Sequence, residues 1–287
     1  MPNKPIQKQP NSEKQEAVQN NSNKDEQYLK EIASLKKANE LLVNKIEKLE
    51  SKNKELTSFT SIASHDLKEP LRKISIYSKL INDRESEGLT ESAKYNLNRI
   101  IVSADRMQQL VDDLLEYSQI NVNEIVYTKT DLNVILNKVK SDLKETIEET
   151  QAEITASKLP TISAIPSQFK QVFDNILSNS MKYHRTNELP KINIDYQIVS
   201  GESLTDLGQN TELDYHKITF KDNGIGFPEA FKEKIFEPFK RLHGKDTFSG
   251  NGMGLAICKK IILNYKGIIT ADSDEKTGAI FTIYLPK

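Results

Sequence analysis

The 287-residue chain is long enough for two modest domains, or for one domain and an extended helical part. Its 40 Lys and Arg against 41 Asp and Glu leave a net charge of -1, so no basic field calls for nucleic acid. Cys258 is the single cysteine, which excludes an intramolecular disulfide and a cysteine-built zinc site; within "LAICKKII" it reads as a small buried thiol.

No stretch approaches the roughly 20 apolar residues that cross a bilayer, and the N-terminus has no signal-type apolar core. A cytoplasmic chain without a membrane segment is therefore expected. The opening run "MPNKPIQKQPNSEKQEAVQNNSNKDE" is rich in Pro, Asn, Gln and Lys, with almost nothing to bury; a disordered tail is predicted over residues 1–27. From Tyr28 a heptad takes over. Tyr28, Leu35, Leu42, Leu49, Leu56 and Ala63 recur every seven residues, and Ile32, Asn39, Ile46, Asn53 and Thr60 fill the other seam position. That pattern predicts a coiled coil over 28–57. Asparagine on the seam fits two parallel strands, because buried amides satisfy one another in register.

The helix is expected to run on through "FTSIASHDLKEPLRKI" to about Asn82 and to bend at Pro70, whose missing N–H leaves the Asp66 carbonyl without a helical partner. "DRESEGLTES" is a turn around Gly88, with Thr90 or Ser92 as a cap. A second helix then carries Leu97, Ile100, Ile101, Ala104, Met107, Val111, Leu114 and Leu115 at three- and four-residue steps. Residues 58–122 thus form a helical hairpin, and two chains joined by the coiled coil would make a dimeric four-helix bundle.

After Asn123 the texture becomes an α/β mixture extending to residue 287. A helix over 131–149 has Asp131 as N-cap, "EITAS" and "TISAI" read as short strands, and Pro166 opens a helix through Tyr183. "KINIDYQIV" and "HKITFKD" alternate as strands, separated by a polar loop. Helix 255–266 ends at Gly267, and "GIITADSDEKTGAIFTIYLP" reads as a closing hairpin. The fold class is α+β and multidomain.

Four stretches in this half stand out together. In "QVFDNILSNSMKYH", Asn175, Asn179 and Lys182 share one helical stripe, where an amide oxygen suits a hard cation and an ammonium suits phosphate; alone, such a stripe is more often a solvated face. "DNGIGFP" follows a strand, so Asp222 can accept from an amine while Gly224 and Gly226 admit a flat ring, although a plain Asn-Gly turn explains the fragment equally well. "SGNGMGLAI" runs three glycines into a helix N-terminus, a phosphate-binding arrangement; with no strand before it, a dinucleotide-binding Rossmann site is excluded. Between them "IFEPFKRLHGKDTFSG" reads as a lid over about 228–252, anchored by Phe236 and Phe239.

From Ser58 to Lys287 the chain resembles the sensor histidine kinases of bacterial two-component signalling, whose ATP-binding half is a GHKL-type α/β two-layer sandwich. "SHDLKEPL" resembles the family's H box, "NILSNSMKY" its N box, "DNGIGF" its first glycine box and "FEPFKRLH" its phenylalanine box. "GNGMGLAI" matches the second glycine box and "TGAIFTIYLP" the closing one. The resemblance implies His65 as phosphoacceptor and Asp66 as the acid that orients it and takes its proton. It implies Asn179 as Mg²⁺ ligand, Asn175 in support, Lys182 on the phosphates and Asp222 on the adenine amino group. Tyr183, Gly224, Gly226, Phe236, Arg241, Gly250, Gly252, Gly254 and Leu255 complete the implied nucleotide site. ATP and Mg²⁺ are the implied cofactors; a homodimer and a response-regulator receiver domain, whose aspartate takes the phosphoryl group, are the implied partners.

The sequence departs from the family pattern in places. Ser180 replaces a common alanine, a change expected to matter little, and Asn251 and Met253 replace Thr and Leu or Ile. Glu69 stands four residues after His65, where members that also dephosphorylate their partner carry Thr or Asn; a carboxylate there predicts weak phosphatase activity. Two other readings compete: a signalling scaffold with a slow ATP site, and a clamp ATPase, disfavoured because Asn175 stands where clamp ATPases place a glutamate base.

Overall fold

The computed structural model describes residues 11–84, 88–120, 127–207, 212–242, 250–274 and 276–287, with side chains from residue 29 onward except 205 and 206. Two compact units divide the chain, Met1–Phe59 and Thr60–Lys287.

The first unit is helical. Helix α1 spans Asn11–Arg84 and begins well inside the stretch expected to be disordered, of which residues 1–10 lie outside the described set. Residues 11–27 contain three Glu, three Gln and two Lys, which are good helix formers. Leu35, Leu42, Leu49 and Leu56 along the heptad seam are more than half exposed in the single chain, at 54–66%.

In the second unit α1 pairs with α2, Glu91–Gln119. Thr90 is the N-cap, its hydroxyl accepting from the Ala93 N–H at 3.2 Å, and Leu71, Ala104 and Val111 are buried in the hairpin. Helix α1 runs without interruption through Pro70. Across the hairpin, Ser75 and Lys79 hold the Asp105 carboxylate at 2.8 and 3.1 Å.

Among the described residues, seven strands and four α-helices follow: β1 (Thr128–Asp131), α3 (Leu132–Asp142), α4 (Lys144–Thr150), β2 (Glu153–Ala156), β3 (Thr161–Ala164), α5 (Pro166–Lys182), β4 (Lys191–Ser200), β5 (Asp214–Asp222), α6 (Gly254–Asn264), β6 (Ile268–Asp274) and β7 (Gly278–Pro286). Strands β2-β4-β5-β7-β6 form one sheet, parallel only at β2–β4, and β1 pairs with β3 in a small antiparallel ribbon. One helix was expected over 131–149, but the chain breaks at Leu143; Asp131 caps the first piece, accepting from the Asn133 N–H at 2.8 Å.

Helix α5 explains the layering. Pro166 opens it where no N–H is needed, and Phe169, Val172, Phe173, Ile176, Leu177 and Met181 then fall on one buried face. They pack against the inward side chains of β4, β5 and β7, with Phe173 edge-on to Phe220 at 5.2 Å. Helices therefore cover one face of the sheet, a two-layer sandwich. The end of α6 differs from expectation: Lys266, not Gly267, takes the left-handed conformation (φ 55°), and the Gly267 N–H closes the helix on the Ile262 carbonyl at 3.0 Å. A Cβ at Gly267 would lie 2.4 Å from the Tyr284 carbonyl, so close packing against β7 selects the glycine.

Candidate functional site

His65 and Asp66 project from α1, their side chains 81% and 74% exposed, with Nδ1 of the imidazole 3.4 Å from Asp66 Oδ1. When Nδ1 carries the proton and donates to that carboxylate, the lone pair resides on Nε2. A shallow depression around the histidine is lined by Lys68, Glu69, Arg72, Ser75, Asp105 and Gln108. Lys68 pairs with Asp112 of α2, and Glu69 pairs with Lys73 one turn on, at 2.7 Å. That lysine, first by hydrogen bond and then by charge, holds the Glu69 carboxyl below its ordinary range.

The second candidate site is a cleft of about 770 Å³ walled by α5, the N-terminus of α6 and the segment after β5, with Gln109, Asp113 and Glu116 of α2 at its border. Its size suits a nucleotide. Asn175, Asn179, Lys182, Tyr183, Asp222, Gly226, Arg241, Gly250, Gly252, Gly254 and Leu255 all line it. Residues spread over 80 positions of sequence thus converge, because α5 ends beside the start of α6.

Asp222, 7% exposed at the end of β5, forms one end of the cleft. Its Oδ1 accepts from the Gly224 N–H at 2.9 Å and the Ala279 N–H at 3.0 Å; its Oδ2 accepts from the Ser180 hydroxyl at 3.0 Å. Burial pushes the carboxyl above its ordinary range, and these three donors work against that rise. The backbone here tolerates only glycine at Gly278, where φ is +104° and an added Cβ would lie 2.1 Å from the Asp222 carbonyl.

Asn175 donates its Nδ2 to the Gly254 carbonyl at 3.2 Å, tying α5 to α6. The Asn179 side chain makes no hydrogen bond among the described residues, so its amide oxygen is free to ligate. Lys182 donates to the Tyr183 hydroxyl at 3.1 Å and lies over that ring at 4.6 Å, and a Cβ on Gly250 would come within 2.9 Å of its Nζ. Among the described residues no cluster of three or more His, Cys, Asp and Glu is placed to hold a metal, so a cation here would depend on amide and phosphate oxygens.

Two sequence-predicted residues do not line the cleft. Phe236 is buried in the core, under Lys259 at 5.5 Å, and Gly224 acts through its N–H on Asp222. Of the two phenylalanines expected to anchor a lid, Phe236 is 5% exposed and Phe239 is 51% exposed with φ +62°. Residues 243–249 of the expected lid lie outside the described residues. Ser180, the replacement for a common alanine, is buried and donates to the Asp222 carboxylate. Ala279 and the α2 residues at the border were missed, because nothing local in sequence ties them to Asp222 or the cleft.

Two family matches agree with this geometry. Residues 55–123 match the His Kinase A (phospho-acceptor) domain, and residues 164–287 match the histidine kinase-, DNA gyrase B-, and HSP90-like ATPase. The phytochrome-like protein Cph1 of Synechocystis is 38% identical over 83% of this chain and 30% of its own length. The sensor protein kinase WalK of Staphylococcus saprophyticus is 30% identical over 81% of this chain and 37% of its own. The chain thus spans about a third of the curated relatives it matches. The crystal structure of full-length ShkA in complex with AMPPNP superposes with a TM-score of 0.59 at 22% identity, covering 80% of this chain and 45% of that one, which supports the fold. No described helix is long and apolar enough to cross a membrane. A phospho-acceptor-type helical hairpin followed by a histidine kinase-type ATPase sandwich places the chain in the family of two-component sensor histidine kinases.

Proposed function

We propose that the chain autophosphorylates His65 from ATP bound in the α5–α6 cleft, then passes the phosphoryl group to an aspartate of a response-regulator receiver domain. The observation that carries this reading is the exposed His65–Asp66 pair on the same chain as a nucleotide-sized cleft with a buried carboxylate at one end and lysine beside glycine at the other. Asp222 would accept from the adenine amino group, and Lys182 would sit on the phosphates with Arg241. Asn179, its amide uncommitted, would ligate Mg²⁺, with Asn175 holding the α5–α6 junction in place. Bound magnesium would neutralise phosphate charge as it redistributes in the transfer.

At the acceptor, Nε2 attacks the terminal phosphorus, and the P–O bond to the β-phosphate breaks with its electrons leaving on ADP. The Nδ1–H stays hydrogen-bonded to Asp66, which stabilises the developing imidazolium and takes the proton as the N–P bond matures. Transfer to an aspartate then frees the ring. The reactive chain is a homodimer: the heptad leucines exposed in the single chain would be covered by a second copy. Incubation with γ-labelled ATP and magnesium is expected to give an acid-labile, base-stable label on a protein that sediments as a dimer, with the label absent from His65→Gln. Phosphate release without labelling would instead favour a clamp ATPase, and neither label nor release a scaffold.

Phosphatase activity toward the partner is weak in this reading. Glu69 presents a carboxylate beside His65 where an incoming phosphoaspartate would arrive, and its Lys73 partner leaves it charged. Glu69→Thr is expected to speed loss of label from a phosphorylated receiver domain by about ten-fold, the scale of one hydrogen bond that orients the attacking water. Equal rates in the two proteins would remove the electrostatic argument.

A further inference from the structure

Ser180 lines the cleft beside Asp222 and takes no part in the mechanism above. It is 4% exposed. Backbone N–H groups of Gly224 and Ala279 occupy Asp222 Oδ1, so the carboxylate's remaining acceptor capacity lies on Oδ2, the oxygen that Ser180 touches at 3.0 Å. An ionised carboxylate only accepts. The single hydroxyl hydrogen of Ser180 is therefore committed to Asp222, which leaves the Ser180 oxygen as an acceptor as well. Two acceptors stand side by side.

Resting on the assignment of ATP to this cleft with its base against Asp222, we propose that Ser180 is a specificity-determining residue. Its Oγ and Asp222 Oδ2 form a paired acceptor that selects a 6-amino purine over a 6-oxo purine. An amino group brings two N–H hydrogens, one for Asp222 Oδ2 directly and one that reaches Ser180 Oγ through a water. Asp222 alone discriminates less well, because a shifted 6-oxo purine can offer its ring N1–H to a carboxylate. The second acceptor closes that escape: the 6-oxo group then faces the Ser180 lone pairs. Turning the hydroxyl to donate to the base would strip a donor from a buried carboxylate, and leaving a buried charge short of a partner is costly. An alanine at this position has no such second acceptor.

The test is calorimetric titration of ATP and inosine triphosphate, each with magnesium, into the full chain and its variants. Ser180→Ala is expected to narrow the preference for ATP over inosine triphosphate by about ten-fold, the effect of one hydrogen bond, while Ser180→Thr keeps it. Equal weakening of both nucleotides, or an unchanged ratio, overturns the proposal, since a merely structural role would move both together. Asp222→Asn separates this from the underlying assignment. Its loss of ATP binding beside an unchanged ratio in Ser180→Ala sinks only the role of Ser180; unimpaired binding by Asp222→Asn sinks the assignment of the base itself. Should the alanine variant not fold, purine riboside triphosphate on the unaltered protein decides. Lacking the amino group, it is expected to bind about a hundred-fold more weakly than ATP, and a loss of ten-fold or less counts against two acceptors.

Discussion

Asp222 keeps a carboxylate where little water reaches, and burial raises its pKa. A raised folded-state pKa favours the protonated form, so stability from this group is full below the ordinary carboxylate range and falls as pH rises through the folded value. At neutral pH the folded protein therefore carries a penalty that the unfolded chain does not. Asp222→Asn is expected to raise the melting temperature at pH 7, by about 2–4 °C for a domain of this size, while abolishing nucleotide binding. The gain should shrink as pH falls toward 4, and scanning calorimetry across that range checks the sign. A variant less stable than the parent at neutral pH would mean that the donors from Gly224, Ala279 and Ser180 outweigh burial. Cys258 shows the same physics without the function: fully buried, its thiol is pushed up to about 12 and takes no part in the proposed chemistry.

At the scale of elements, the segment between β5 and α6 shows how one aromatic motif divides its labour. Short 3₁₀ turns at Glu229–Phe231 and Lys234–Phe236 turn Ile235 and Phe236 into the core, and the chain then leaves the core with Phe239 in a left-handed conformation. Phe236→Ala is expected to cost about 3–5 kcal/mol in denaturant unfolding of the C-terminal domain, and Phe239→Ala less than about 0.5 kcal/mol. Comparable losses at the two positions would contradict this division. Helix α5 carries two functions on one cylinder, burying Phe173 and Ile176 while presenting Asn179 and Lys182 to the cleft. Its polar stripe is therefore held by packing on the opposite face, not by capping, since Ile165 provides no side-chain cap.

At the scale of the second compact unit, the hairpin meets the sandwich through Ile120 and Tyr117, which pack on its core, and through polar contacts. Asn251 donates to Asp113 at 3.2 Å, Lys260 donates to the Tyr117 carbonyl, and Asn264 donates to the Ile120 carbonyl at 3.4 Å. These contacts place α2 at the cleft border, yet His65 is not among the lining residues. If the transfer proposed above runs within one chain, the hairpin and the sandwich move relative to each other to bring His65 to the cleft. Cysteines at 113 and 251, joined by a short bis-maleimide, are expected to hold this arrangement and cut autophosphorylation more than ten-fold without loss of ATP binding. Because Cys258 is buried, it should not compete for the reagent. Full labelling after cross-linking would show that the contact need not open.

By itself the sequence determined the heptad, the helical hairpin with its cap narrowed to Thr90 or Ser92, and most of the strands, and it proposed a site from motifs along α1, α5, β5 and α6. These are local patterns: periodicity of 3.5, 3.6 or 2 residues, and short motifs whose residue types suit one chemistry. It misjudged residues 11–27, where helix propensity needs no apolar signature, and the break at Leu143, which no glycine or proline marks. Only the tertiary structure decided the partners of Asp222. Ser180 and Ala279 lie 42 and 57 residues from it, and their convergence follows from how α5 and β7 pack beside β5. Hydrogen-bond donors are chosen by position in space, so no motif announces which of them a buried carboxylate will receive.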